Sequence, residues 1–173
     1  MSLRTIAALS LSASLLIAGI AWTEEMPVAA NQQGEVFKKV FSFDRTLADR
    51  EHVELLVVYE GTPSGLIGDI VLSFQEAGIA SSTVSEDDLP GLINQASVVY
   101  FAPGADVDAF NALCIENQVL TISGDPSLAE DGHVAIGVDV RDDRPEIVVH
   151  MGRLKAEGHV LSSELLRLSR IIR

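Results

Sequence analysis

Apolar positions along the chain alternate between runs that read as buried strands and patterns with a helical period. Val36, Val40 and Leu47 recur near the helical period with Phe37 and Phe41 beside them, which predicts a helix from Gln32 to about Leu47. Val53–Tyr59 is apolar except for Glu54 and of strand length, as expected for a strand covered on both faces. Leu66, Ile67, Ile70, Val71 and Phe74 give a helical face that Gly78 ends. Ile79–Val84 reads as a weaker strand, and Asp87–Asn94 as a short helix at best. Ser97–Phe101 is the next buried strand, Val107–Glu116 a helix, and Val119–Ile122 a strand. The segment from Ser123 to His133 reads as loop.

Strands alternating with helices imply right-handed crossovers and a parallel sheet. The end of the chain departs from that rhythm. Val134–Val140 and Glu146–His150 are separated only by Arg141-Asp142-Asp143-Arg144-Pro145, too short for a crossover, so they should pair as an antiparallel hairpin at one edge. The final segment should be an amphipathic helix. Ser162 or Ser163 can cap it, and Glu164 suits its positive end. Leu161, Leu165, Leu168 and Ile172 would form its apolar stripe, with Leu166 and Ile171 to the sides. The predicted fold is a three-layer α/β domain. It has a mostly parallel central sheet flanked by helices, a C-terminal antiparallel hairpin and a C-terminal amphipathic helix.

Met1 to about Ala30 reads as a secretory leader, leaving a single domain over residues 31–173. Arg4 supplies the positive start, and Ile6–Ile20 is apolar or small but short for a membrane span of about 20 residues. Two cleavage points satisfy small-residue rules, after Ala21 (Gly19-Ile20-Ala21) and after Ala30 (Val28-Ala29-Ala30). An uncleaved anchor is the alternative. No cysteine follows the apolar run closely, which argues against a lipoprotein, and no second run of membrane length predicts an integral span in the mature form.

The formal net charge is −13, and it is segregated. No Lys or Arg occurs between Glu51 and Val140; beyond the leader the basic residues fall in Lys38–Arg50 and Arg141–Arg173. Without clustered Lys and Arg, nucleic acid is not an expected partner. Cys114 is the single cysteine, so no intramolecular disulfide can form; its apolar neighbours suggest a buried small hydrophobe.

The run from Ala156 to Ser169 carries a resemblance. Ala156, Gly158, Leu161, Ser162, Ser163, Leu165, Leu166, Arg167, Leu168 and Ser169 follow the order of the C-terminal signature of the YfiR family of bacterial periplasmic proteins. The resemblance extends over most of Phe37–Arg173. Phe41 and Phe43 are similar to the aromatic first helix of that family, His133 stands where a second Gly is common, and His150 where Asn is frequent. It implies a periplasmic negative regulator that holds a membrane-bound diguanylate cyclase inactive, and hence a role in cyclic-di-GMP signalling. Some relatives carry cysteine pairs; this chain does not.

The loops Gly61–Gly65, Gly104–Asp106 and Ser123–Ser127 should gather at the carboxyl edge of a parallel sheet, the usual ligand crevice. Gly61-Thr62-Pro63-Ser64-Gly65 lacks the Lys-Ser/Thr of a phosphate loop and reads as an ordinary turn. Asp106 and Asp125 resemble an acid pair but sit at helix starts, where Asp is a routine cap. His52, His133, His150 and His159 show no metal-ligand spacing and are read as surface or edge residues. No catalytic residue, cofactor or metal is expected, and the chain is read as a non-enzyme. The expected partner is the periplasmic domain of a membrane-anchored signalling protein, with a homodimer as a further assembly. Candidate interaction residues are Leu166 and Ile171 beside the C-terminal stripe, and Phe37 and Phe41 on the first helix. The alternative reading is a periplasmic small-ligand-binding protein using the loops at the sheet edge; a hydrolase is a third and weaker one.

Overall fold

A computed structural model describes residues 26–173; the segment read from the sequence as a leader lies outside the described residues as far as Glu25. The first predicted helix is divided in two. Helix α1 spans Ala30–Ser42, and a four-residue helix α2, Arg45–Ala48, follows. The break comes at Asp44, whose carboxylate accepts from the backbone N–H of Thr46 and Leu47 and so starts a new helix. Strand β1 (Glu54–Tyr59), helix α3 (Gly65–Glu76), strand β2 (Ala80–Ser85) and a short helix α4 (Leu89–Leu92) come next. Strand β3 (Val98–Phe101), helix α5 (Val107–Glu116) and strand β4 (Leu120–Ser123) continue the alternation.

The segment read as loop contains a five-residue helix, α6 (Pro126–Glu130). Asp125 caps it and Pro126 supplies its first turn, a start signal visible in the sequence but too short to register as periodicity. Strands β5 (Ile136–Arg141) and β6 (Arg144–His150) form the predicted hairpin. Its turn residues Asp142 and Asp143 both have positive φ, 49° and 58°, as a two-residue type I′ turn requires. Helices α7 (Met151–Ala156) and α8 (Ser163–Leu168) follow.

The C-terminal helix stops earlier than its stripe suggested. Ser169 is extended and its hydroxyl bonds back to the Leu165 carbonyl at 2.8 Å, and Arg170–Ile172 become a strand, β7. The reason is that β-branched Ile171 and Ile172 can each reach a core on opposite sides of a strand, whereas a helix would bury only one face. Ile171 packs on one core cluster and Ile172 on the other. The sheet order is β2-β1-β3-β4-β5-β6-β7, parallel except for the β5–β6 pair. β7 therefore lies outside the hairpin and pairs in parallel with Val148–His150.

Alternation along the strands feeds two cores. Leu55 and Val57 face one with Phe37, Ile70 and Phe74; Leu56 and Val58 face the other with Val107 and Cys114. In the first core Phe37, Phe74 and Tyr100 pack with ring centroids 5.7–6.2 Å apart. Helices α1 and α3 cross closely at Gly34, whose N–H donates to the Ser73 hydroxyl at 2.8 Å. The α/β layering is thus the one the pattern predicted.

Candidate functional site

A groove opens on one face of the sheet between α1, β6 and α8. It is lined by Val36, Lys39, Val40 and Phe43, by Pro145 and Ile147, and by Glu164, Leu165 and Leu168, and encloses about 380 Å³. Leu168 stands at its rim 75% exposed. A second hollow of about 310 Å³ shares Pro145 and Leu168 and is otherwise edged by Arg141, Asp142, Arg144 and Glu146. Leu168 thus projects between an apolar floor and a charged one. In water an exposed leucine beside an apolar hollow is a site where a second surface gains by covering it.

The groove walls are stitched together from residues distant in sequence. Ser162 caps α8 through the Leu165 N–H, while its own N–H donates to the Phe43 carbonyl at 2.9 Å. The Arg45 N–H donates to the Val160 carbonyl at 3.0 Å, and Asp44 bridges to Leu161. Beneath this seam His159 is only 3% exposed, not at the surface as expected. Its Nδ1 meets the Asp44 carboxylate at 2.7 Å and its Nε2 the Gln118 carbonyl at 3.3 Å. Burial is tolerated because the ring hydrogen-bonds across the seam to polar partners of α2's cap and the α5–β4 turn.

Arg170 closes the other side. Its guanidinium reaches Glu130 of α6 at 2.7 Å, Asp139 of β5 at 2.6 Å and Glu146 of β6 at 3.3 Å, so one side chain clamps three elements to β7. Pro145 offers no N–H, which discourages a further strand from pairing along the part of β6 that β7 leaves uncovered.

Of the four candidate interaction residues, Phe37 and Phe41 are core. Phe37 is fully enclosed, because α1 turns its aromatic face onto α3 and the sheet. Leu166 and Ile171 are half-buried against the same core. Leu165 and Leu168 were expected to share one stripe, yet only Leu165 is buried. Leu168 lost its place because the chain leaves the helix immediately after it. Sequence reasoning missed Ile147 and Pro145 as groove residues, since only the fold brings β6 beside α8.

On the α1 side the carboxyl edge of the sheet is filled by the protein itself, while a hollow of about 200 Å³ lined by Ala105, Asp106, Val107, Asp108, Leu128 and His133 stays open beside α5. The Tyr100 hydroxyl donates to Gln33 Oε1 at 2.7 Å and accepts from the Gly124 N–H at 3.1 Å. Gln33 Nε2 donates to the Val28 carbonyl at 2.9 Å. Burial pushes the Tyr100 pKa up, so its hydroxyl keeps its proton for this chain of bonds. A side chain at Gly124 would collide with Gln33 and Tyr100. Asp106 and Asp125 cap α5 and α6, as predicted.

A buried polar knot ties α7 to β4. Glu157 accepts from the Thr121 N–H at 2.9 Å, the Thr121 hydroxyl at 2.6 Å and Arg153 Nε at 2.6 Å. Burial raises the pKa of its carboxyl, against the pull of Thr121 and Arg153. Cys114 nearby has its thiol pushed up to about 12, chiefly by burial. Among the described residues no group of His, Cys, Asp and Glu is arranged to hold a metal ion, and no helix is long and apolar enough to cross a membrane.

No curated protein matches the chain. Solved structures share its fold at low identity. A conserved domain protein from Vibrio cholerae O1 biovar El Tor has 12% identity and a TM-score of 0.62 over 83% of this chain and 60% of that one. The ABC domain from Streptococcus pneumonia, in complex with L-Trp, has 10% identity and a TM-score of 0.61 over 84% and 60%. CD0873, a substrate binding protein with adhesive properties from Clostridium difficile, in its ligand-free open form, has 12% identity and a TM-score of 0.58 over 82% and 59%. The chain thus spans only about 60% of the length of the structures it resembles. The family model described as YfiR/HmsC-like matches residues 72–170, and the chain belongs to that family.

Proposed function

We propose that the protein is an exported, periplasmic regulator that binds the periplasmic domain of a membrane-anchored signalling enzyme, such as a diguanylate cyclase, and holds it inactive without chemistry of its own. The observation that carries this reading is Leu168, 75% exposed over the apolar groove between α1, β6 and α8. Family membership supports a regulatory role, and the groove supplies a surface for it. Leu166 and Ile171 support the walls from behind, so their truncation would act on the groove through its shape.

The small-ligand reading draws on the solved structures, among them a domain in complex with L-Trp and a substrate binding protein. Against it stands the α1 side of the carboxyl edge, which Gln33 and Tyr100 occupy; the hollow beside α5 is small, about 200 Å³.

The test separates fold from binding. Leu165 is buried, so Leu165→Ala should destabilise by about 2–5 kcal/mol. Leu168→Ala should leave the unfolding midpoint within about 0.5 kcal/mol of the parent, because an exposed surface substitution rarely does more. It should instead weaken inhibition of the co-expressed cyclase, read as cellular cyclic-di-GMP. Full inhibition by Leu168→Asp would exclude the groove as the binding surface.

A further inference from the structure

The two leader cleavage points leave different proteins behind, and the fold distinguishes them. Cleavage after Ala30 would remove Met26, Pro27 and Val28. Val28 is a core residue, 2% exposed, packed with the α1 side of the sheet. Its carbonyl accepts from Gln33 Nε2 at 2.9 Å, and Met26 Sδ lies 3.3 Å from Gln33 Nε2 and 3.3 Å from the Tyr100 oxygen. Gln33 is itself fully buried, so loss of these acceptors would leave its amide donor without a partner in the core. The Ala29 carbonyl, which accepts from the Gln32 N–H at 2.9 Å, would also be lost. The new α-amino group, positively charged, would then stand at the positive end of α1. Cleavage after Ala21 incurs none of these losses.

We propose that the leader is removed by hydrolysis of the Ala21–Trp22 peptide bond, so that Met26–Val28 remain in the mature protein as a built-in part of the fold. Water adds across the bond, leaving the Ala21 carboxylate on the leader and a free amine on Trp22. Gly19 and Ala21 supply the small residues that a leader peptidase accepts at the third and first positions before its cut. The mature chain then opens Trp22-Thr23-Glu24-Glu25 and enters the core at Val28. This inference rests on the export reading, and its test keeps the two apart.

The full chain with its leader is expressed in a Gram-negative host, and the periplasmic product is read by intact mass and N-terminal sequencing. The expected start is Trp22. A periplasmic product starting at Asn31 overturns the inference and leaves export standing. A full-length product confined to the cytoplasm overturns both. Ala21→Gln should accumulate uncut precursor, while Ala30→Gln should be processed as the parent; the reverse result overturns the assignment. Leaderless chains starting at Trp22 and at Asn31 are then compared by urea unfolding. The shorter chain should unfold at a lower midpoint, and equal midpoints would overturn the structural role given to Met26–Val28.

Discussion

Gly34→Ala and Gly68→Ala make the same chemical change in two helix interiors, and the structure sets opposite signs for them. On helix propensity alone, each should stabilise by about 1 kcal/mol. At Gly68 of α3 an added Cβ meets nothing within 4 Å, so that gain should be realised. At Gly34 the Cβ would be driven into the Ser73 backbone carbonyl, with the Ser73 hydroxyl also only 2.8 Å away. Backbone cannot swing aside as a side chain can, so α1 must lift from α3. Lifting stretches the Gly34–Ser73 hydrogen bond and pulls Phe37 from Phe74, whose ring centroid is 5.9 Å distant. Overpacking of a close-packed contact costs about 1–3 kcal/mol, and a lost hydrogen bond about 1 kcal/mol more. Less the propensity gain, Gly34→Ala should lose about 2 kcal/mol, or about 4–8 °C in Tm for a domain of this size. Urea unfolding of the parent and the two variants measures both effects. If both variants shift in the same direction, the close crossing of α1 and α3 does not govern stability and the reasoning fails.

Two further outcomes follow from buried groups and a third from the β5–β6 turn. The Glu157 carboxyl has its folded pKa raised above the ordinary 4.5, so the stability it contributes is complete below that value and is lost as pH rises through the folded pKa. Glu157→Gln should flatten the fall in unfolding free energy above about pH 4.5, and an unchanged slope would assign it to another group. Cys114, buried with its thiol near 12, should resist alkylation at neutral pH in the folded protein and react readily in urea; Cys114→Ala should leave regulation intact. Asp143→Gly should stabilise the β5–β6 turn by a few tenths of a kcal/mol or more, since Gly adopts its φ of 58° without strain; destabilisation in urea would contradict the type I′ assignment.

For most local signals the sequence was enough, the Asp44 cap and the short α6 being the exceptions. The apolar run of β1, the helix from Val107 to Glu116 and the short hairpin connection follow from period, length and turn residues. The same local reasoning identified Asp106 and Asp125 as caps and narrowed the last to Ser162 or Ser163, of which Ser162 caps, because capping involves residues two or three apart. The resemblance rested on the order of residues from Ala156 to Ser169, which is also local.

What the sequence could not decide depends on residues far apart along the chain. His159 is buried because Asp44, 115 positions earlier, meets its ring, and no periodicity encodes that pairing. Arg170 is a clamp because α6, β5 and β6 bring three carboxylates to one point. The last residues read as helix by spacing, yet burial on both sides of β6's neighbour favoured a strand. That choice exposed Leu168, while the packing of α1 on α3 separately enclosed Phe37 and Phe41, so the candidate surface is the groove between α1, β6 and α8. Local propensity determines which elements can form. Competition among tertiary contacts decides where each ends and which face is left to meet a partner.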